Sequence, residues 1–208
     1  MIPLLVDCTG RRIVIFGGGA VASRKAMYFS GKADLLLVSR SFLPKITALP
    51  VKRRVLDVST VADVVLEEIL DGAFLVISTF SDPSQNNRIG NLCRARTILF
   101  NNADGEAGDV ILPSVMGGKN YTIAISTNGS SPAVSRFIRE HLEKTYPALD
   151  EMIALQREMR EQLKHHVPSQ SRRTTILREM LSDKELWETL KKDPSLARKQ
   201  AKKRYLHE

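Results

Sequence analysis

Six residues near the N-terminus, Gly17 to Ala22, have the composition of a dinucleotide-binding turn. Gly17, Gly19 and Ala22 fill the three small positions of a G-x-G-x-x-G/A pattern. The first permits a tight turn, the second admits a pyrophosphate, and the third lets a helix pack closely on a strand. The N–H groups at the start of the following helix then face the pyrophosphate. The alternative interpretation is a plain tight turn that binds no nucleotide. The predicted cofactor-binding residues are Gly17, Gly18, Gly19, Ala20 and Val21.

A second segment, residues 101–109, contains three carboxylates and can supply a proton acceptor. An aspartate held beside a substrate can act as a general base. Turns also favour Asp and Asn for local hydrogen bonds, so composition alone does not single out Asp104. The four histidines lie further along the chain and lack the spacing of metal ligands, so we predict no metal site.

Polar residues follow two other predicted strands. An acidic residue after the second strand commonly binds the adenosine ribose, but this chain has Ser39, Arg40 and Ser41 there. Arg40 can pair with a 2′-phosphate, stack on adenine, or simply face solvent. Thr79, after the fourth strand, either lines the cofactor cleft or serves a local turn. Asn101, after the fifth strand, is the remaining candidate for cofactor binding.

The elements that must position these residues alternate between strand and helix. Apolar runs predict strands at 12–17, 34–39, 73–78 and 97–100, with a weaker strand at 52–57. Continuous apolar runs suit parallel strands that are buried on both faces. Helical periodicity lies between them, at 20–31, 61–70 and 82–94. The predicted fold class is α/β, a Rossmann-like doubly wound parallel sheet.

The pattern changes after Asn101. Residues 110–116 and 121–126 predict a strand pair joined around two glycines. Ser131 is a good N-cap for a helix that runs to about residue 144. From residue 147 the chain is helical, with breaks near Pro168 and Pro194. We therefore predict an NAD-binding domain at 1–112, a small α+β dimerisation region at 113–146 and a C-terminal helical domain at 147–208.

The whole chain has 208 residues, 43% of them hydrophobic, and a net charge of +8. No apolar run approaches the roughly 18 residues of a membrane helix, and the N-terminus does not resemble a signal peptide. Cys8 and Cys93 are interpreted as reduced thiols, which predicts a cytoplasmic protein without a membrane partner. The positive charge fits a nucleic acid, a polyanionic small molecule or a solvated basic face. Nucleic acid is disfavoured because the basic segment after 150 has no recognition motif.

The order of these motifs resembles the precorrin-2 dehydrogenase and sirohydrochlorin ferrochelatase family of sirohaem biosynthesis. The similarity covers nearly the whole chain and is carried by Pro3-Leu4 and the following segments: 17–26, 79–86, 101–104, 111–114, 123–132 and 135–140. The resemblance implies NAD-dependent oxidation of precorrin-2, with NADP not excluded and Asp104 as the catalytic aspartate. It also implies a homodimer formed through 113–146. Ferrous iron would be only a substrate of a chelatase activity that some members lack.

The same resemblance predicts substrate contacts around the strand pair and the following helix. The implied substrate, precorrin-2, carries eight carboxylates, and a basic protein would attract such a polyanion. Thr127 and Asn128 depart from the serine and glycine of many members. The alternative function is a non-catalytic, NAD-sensing regulatory module, which has no need of a base at Asp104. The predicted substrate-binding residues are Pro113, Ser114, Thr127, Asn128 and Arg136.

Overall fold

The computed structural model describes residues 1–104 and 106–206. Gly105, in the predicted catalytic loop, and His207 and Glu208, at the end of the predicted helical domain, lie outside the described residues. The chain forms two compact units, Met1–Leu112 and Pro113–Glu208. We call them the sheet unit and the helical unit.

The sheet unit contains five parallel strands in the order β3-β2-β1-β4-β5. The chain therefore builds outward from β1 to one edge and then returns to build the other edge. Ligands in sheets of this kind bind at the carboxyl ends of the strands, where the strand order reverses. The strands are β1 (Arg12–Phe16), β2 (Asp34–Ser39), β3 (Lys52–Val55), β4 (Ala73–Ser78) and β5 (Leu99–Asn102).

Helices cover both faces of this sheet, which explains the continuous apolar strands. Along β1, Ile13 and Ile15 pack in one buried cluster, whereas Val14 and Phe16 pack in another. The first cluster includes residues of α1, and the second includes residues of α3 and α4, among them Cys93. The helices are α1 (Ala20–Phe29), α2 (Pro44–Thr47), α3 (Asp63–Leu70) and α4 (Pro83–Ala95).

Two details of the sheet unit differ from the sequence prediction. β5 begins at Leu99 rather than at residue 97, because Thr97 adopts a left-handed φ of 55°. The strand consequently extends through the polar residues Asn101 and Asn102, which pair with Ile77 and Ser78 of β4. The short helix α2 was not expected.

The helical unit begins with an antiparallel pair, β6 (Ser114–Gly117) and β7 (Thr122–Ile125). β6 is shorter than predicted and starts after Pro113. Ser131 caps α5 by accepting a hydrogen bond from Val134 N, as its sequence position indicates. The helices are α5 (Pro132–Thr145), α6 (Leu149–His166), α7 (Gln170–Ser182), α8 (Lys184–Lys192) and α9 (Pro194–Tyr205).

An additional break in the helical region lies at Asp183, between α7 and α8. Its carboxylate accepts from Leu186 N and from the Tyr205 hydroxyl, and it pairs with Arg204. One residue thus caps α8 and ties it to α9. The apolar sides of α6, α7, α8 and α9 share a buried core that includes Met152, Leu155, Met180, Leu190 and Ala197.

Candidate cofactor and catalytic site

The glycine turn is packed tightly against its neighbours in the sheet unit. Gly17 leaves β1 with a φ of +123°, a conformation that L side chains rarely adopt. Its N–H donates to Val38 O at 2.9 Å, and a Cβ at this position would collide with Thr79 Oγ1. A Cβ on Gly18 would collide with Ser41 O and approach Ser39 Oγ. The structure therefore brings the predicted residues 17, 18, 39, 41 and 79 together.

The N-terminus of α1 is open. Gly19 is its N-cap, no side chain caps the helix, and its first turn has no acidic residue. A Cβ on Gly19 would meet no heavy atom within 4 Å. The first N–H groups of a helix lack intrahelical acceptors and, with the helix dipole, favour an anion. The Gly19, Ala20 and Val21 backbone therefore fits the pyrophosphate of a dinucleotide.

Arg40 lies at the carboxyl end of the sheet with its side chain 76% exposed. Its Nη1 is 3.6 Å from Asp57 Oδ2. Hydrogen bonds from the Ser59 side chain and backbone, and to a smaller extent the charge of Arg40, lower the pKa of Asp57. The sequence prediction missed this carboxylate because it follows β3 rather than β2.

Thr79 ties the loop after β4 to the end of β1. Its N–H and its hydroxyl both donate to Phe16 O, each at 2.9 Å. The hydroxyl thus has the local turn role that was one of its two interpretations. Because the Thr79 hydroxyl lies beside Gly17, it leaves no room for a side chain at that position of the glycine turn.

Asn101 is buried and uses both ends of its amide. Its Oδ1 accepts from Lys25 Nζ at 2.8 Å, and its Nδ2 donates to Val110 O at 2.7 Å. The pKa of Lys25 is lowered from 10.5 to about 8, first by burial and then by the charge of Arg24. Lys25 shares the helical stripe of the buried residues Ala22, Ala26 and Phe29. That spacing is the signal that identifies it.

Asp104 follows β5 and is exposed. Its N–H donates to Asn102 Oδ1 at 3.1 Å, and its carbonyl accepts from Asn86 Nδ2 at 2.8 Å. Among the described residues, no hydrogen bond or ion pair engages its carboxylate. Asp109, in contrast, accepts from Phe100 N at 3.2 Å. Asp104 is therefore the aspartate of this loop whose carboxylate is free to take a proton.

The predicted substrate residues lie in the helical unit. Pro113 and Ser114 are at the start of β6 and are half-buried. Thr127 Oγ1 donates to Ser131 O and accepts from Ser131 N, both at 3.0 Å, which fixes the turn before α5. Asn128 has a left-handed φ of 52° in that turn. Arg136 is 74% exposed and pairs with Glu140 at 2.7 Å one helical turn later.

A metal-ligand cluster and a membrane-spanning helix are both absent from the described ranges, 1–104 and 106–206. No group of three or more His, Cys, Asp or Glu side chains is arranged to hold a metal ion there. No helix within these ranges is both long and apolar enough to span a membrane.

Two family models match this chain. Residues 4–114 match NAD(P)-binding domains, and residues 122–145 match the central region of sirohaem biosynthesis proteins. The first match covers the glycine turn and Asp104, and the second covers β7, the turn before α5 and the whole of that helix.

Curated relatives agree with these two family matches. The chain is 41% identical to the precorrin-2 dehydrogenase of Methanosarcina barkeri over 191 residues, 89% of this chain and 85% of that protein. It is 30% identical to the siroheme synthase of Sodalis glossinidius over 175 residues, 83% of this chain but 36% of that enzyme. It is 32% identical to an Escherichia coli siroheme synthase over 148 residues, 70% of this chain and 32% of that enzyme.

A solved structure supports the fold. The precorrin-2 dehydrogenase SirC superposes with a TM-score of 0.70 at 24% identity, covering 98% of this chain and 100% of that structure. This similarity confirms the Rossmann-like sheet followed by a helical C-terminal region.

Proposed function

The chain belongs to the precorrin-2 dehydrogenase family, and from this premise we propose that it oxidises precorrin-2 to sirohydrochlorin with NAD in sirohaem biosynthesis. The matched NAD(P)-binding region and the 41% identical dehydrogenase support this function. One structural observation is central to this proposal. The Asp104 carboxylate, which bonds to none of the described residues, follows the carboxyl end of β5, and the glycine turn follows the carboxyl end of β1.

Different residues of the sheet unit bind the cofactor and accept the proton. Bound NAD would supply the acceptor for the hydride that the reduced macrocycle gives up. The α1 N-terminus holds the pyrophosphate, with Gly19 leaving room for its approach. Ser39, Arg40 and Ser41 border the adenosine end. Asp104 accepts the proton that leaves the macrocycle, so that the substrate loses one hydride and one proton.

The Arg40–Asp57 pair bears on the choice between NAD and NADP. An arginine at the end of β2 can bind a 2′-phosphate. Here the Asp57 carboxylate lies 3.6 Å from that arginine and opposes a second negative group. This arrangement favours NAD.

We also propose that the substrate's carboxylates meet residues of the helical unit, Pro113, Ser114, Thr127, Asn128 and Arg136. Arg136 supplies a positive charge, and the hydrogen bonds between Thr127 and Ser131 fix the turn that precedes its helix. The departure from glycine at Asn128 is accommodated because asparagine tolerates the left-handed conformation observed there.

A homodimer and a cytoplasmic location are further proposals. Val134, Phe137 and Ile138 of α5 are 47%, 69% and 38% exposed, and such an apolar surface supports contact with a second copy. If this surface is the interface, Phe137→Asp should convert a dimer to a monomer in sedimentation equilibrium.

The cytoplasmic location is supported by the two cysteines. The thiols of Cys8 and Cys93 form no disulfide, as expected in a reducing compartment.

An anaerobic assay tests the function. Wild-type protein with precorrin-2 and NAD should give the visible spectrum of sirohydrochlorin, and NADP should serve less well. Asp104→Asn should reduce kcat by about 10²–10⁴-fold because the proton acceptor is lost. Asp109→Asn is the matched control from the same loop and should retain activity within about twofold, since Phe100 N can still donate to it.

The same assay separates the alternatives. An NAD-sensing module would bind NAD and leave precorrin-2 unchanged, which would refute the enzyme. Added ferrous iron tests the chelatase activity that the family resemblance raises, for which Asp104 would take protons from the macrocycle nitrogens. If iron enters sirohydrochlorin no faster with protein than without, the chelatase proposal fails alone.

A further inference from the structure

Asn86, near the start of α4, is fully buried and makes four hydrogen bonds. Its Oδ1 accepts from Ser78 Oγ at 2.7 Å and from Phe80 N at 3.0 Å. Its Nδ2 donates to Phe80 O at 2.9 Å and to Asp104 O at 2.8 Å. One side chain therefore joins the loop after β4, which carries Thr79, to the loop after β5, which carries Asp104.

The amide is chemically specific at this place. An asparagine side chain has two N–H donors and two acceptor lone pairs, and here all four are used. An aliphatic residue would leave these partners unpaired in a buried space, and a carboxylate would face two carbonyl oxygens without a proton to share. The site therefore requires a neutral group that both donates and accepts.

Asn102 holds Asp104 by its other backbone polar group, the N–H. Its Oδ1 accepts from Asp104 N at 3.1 Å, and its Nδ2 donates to Glu106 O at 2.7 Å. Asn87, next to Asn86 on α4, accepts from Glu106 N at 3.0 Å. Both backbone polar groups of Asp104 are thus committed, while its carboxylate bonds to none of the described residues.

We propose that Asn86 and Asn102 are positioning residues that fix Asp104 as the proton acceptor. This inference rests on the proposed dehydrogenase function. Neither side chain takes part in the chemistry: each holds a backbone atom of Asp104. A displacement of about 1 Å in a reacting group can lower the rate about 10²-fold. We call the hydrogen bonds from Asn86 and Asn102 to the Asp104 backbone the Asp104 clamp. The clamp should therefore affect kcat rather than the binding of NAD or precorrin-2.

Two variants test the clamp with steady-state kinetics at pH 8. Asn86→Asp retains the acceptor for Ser78 and Phe80 but, when ionised, loses the donor to Asp104 O. Asn102→Ala removes the acceptor for Asp104 N at a half-buried position. Each should lower kcat at least tenfold while the KM for NAD and for precorrin-2 stays within about threefold. Asn91→Asp, at an exposed position of α4, is the control and should leave both constants unchanged.

Circular dichroism and thermal denaturation accompany the kinetics, because a purely structural asparagine would lower Tm without changing kcat in the folded protein. If Asn86→Asp does not fold, Asn102→Ala decides. Wild-type kcat in folded Asn102→Ala, or a loss confined to KM, overturns the proposal. Inactive wild type refutes the proposed function itself, and the inference with it. Active wild type with two equally active variants refutes only the inference.

Discussion

In the sheet unit, the hydrogen bonds around the candidate residues join segments that are far apart in the chain. Lys25 reaches Asn101, 76 residues away, and Thr79 reaches Phe16, 63 residues away. In the helical unit the corresponding contacts are local, since Thr127 binds Ser131 and Arg136 binds Glu140, each four residues on. The cofactor and proton-transfer groups therefore depend on the completed sheet, whereas the proposed substrate groups depend on one turn and one helix.

The electrostatics of the two units differ in the same way. On the exposed faces of α5 and α6, cations pair with carboxylates one turn away, as in Arg139–Glu143 and Lys164–Glu161. Such exposed pairs contribute little to stability, because water and salt screen them. In the sheet unit, Lys25 is partly buried and its pKa is strongly lowered. Substitution of the partly buried Lys25 should thus change stability, whereas substitution of the exposed Arg136 should change substrate binding.

Among the substitutions that test this comparison, the largest effect is expected in the glycine turn, where Gly18→Ala and Gly19→Ala separate packing from ligand approach. Gly19→Ala places a methyl group in open space, so stability should change by less than about 1 kcal/mol while NAD affinity falls at least tenfold. Gly18→Ala meets the Ser41 backbone, so it should lose the same affinity and about 1–3 kcal/mol of stability. Calorimetric titration with NAD and thermal denaturation measure both quantities. Unchanged NAD affinity in Gly19→Ala would show that the second glycine does not serve the pyrophosphate.

An intermediate effect is expected at Arg136. Arg136→Ala should raise the KM for precorrin-2 about three- to tenfold without changing kcat, because it removes one charge from an exposed helix. The difference from wild type should shrink as salt is raised to about 1 M, where the screening length is about 3 Å. Lys144→Ala, at an exposed position of the same helix, is the control. Equal effects of both variants would indicate a general attraction rather than a contact at Arg136.

The smallest effect is a change in the pH dependence of stability. Lysine in the unfolded chain stays protonated to about pH 10.4, whereas folded Lys25 loses its proton near pH 8. Between these values the unfolded state binds more protons, so this group makes the free energy of unfolding rise with pH. Lys25→Met should lack the rise, which is on the order of 1 kcal/mol.

Urea titrations from pH 7 to pH 10 measure the free energy of unfolding of both proteins. The comparison with Lys25→Met is necessary because Cys93, whose pKa is raised to about 12, acts in the opposite direction in both proteins. Parallel curves for the two proteins would show that Lys25 is not perturbed by the fold.

Periodicity predicted the α/β alternation because β1, β2 and β4 are largely buried, apolar runs. The start of β5 was misplaced because the left-handed Thr97 breaks the apolar run that suggested a strand from 97. The strand's polar end, Asn101 and Asn102, pairs with β4 and is visible only in the assembled sheet.

The candidate site was predictable in part. The glycine pattern located the turn, but its contacts with Ser41 and Thr79 come from three different strand ends. Asn86 shares a helical stripe with the buried residues Ile89, Gly90 and Cys93, so its burial was accessible from spacing. Its hydrogen bond to Asp104 was not, since that contact spans 18 residues and depends on the position of β5 beside β4.

The burial of Cys93 makes it a chemical reporter of the sheet unit. The side chain is fully buried, and its raised pKa leaves almost no thiolate at neutral pH, the form that reacts with alkylating agents. Cys8, before β1, is partly exposed. A maleimide should therefore modify Cys8 quickly and Cys93 only when α4 and the sheet separate, so the delay between the two labels measures how often this unit opens.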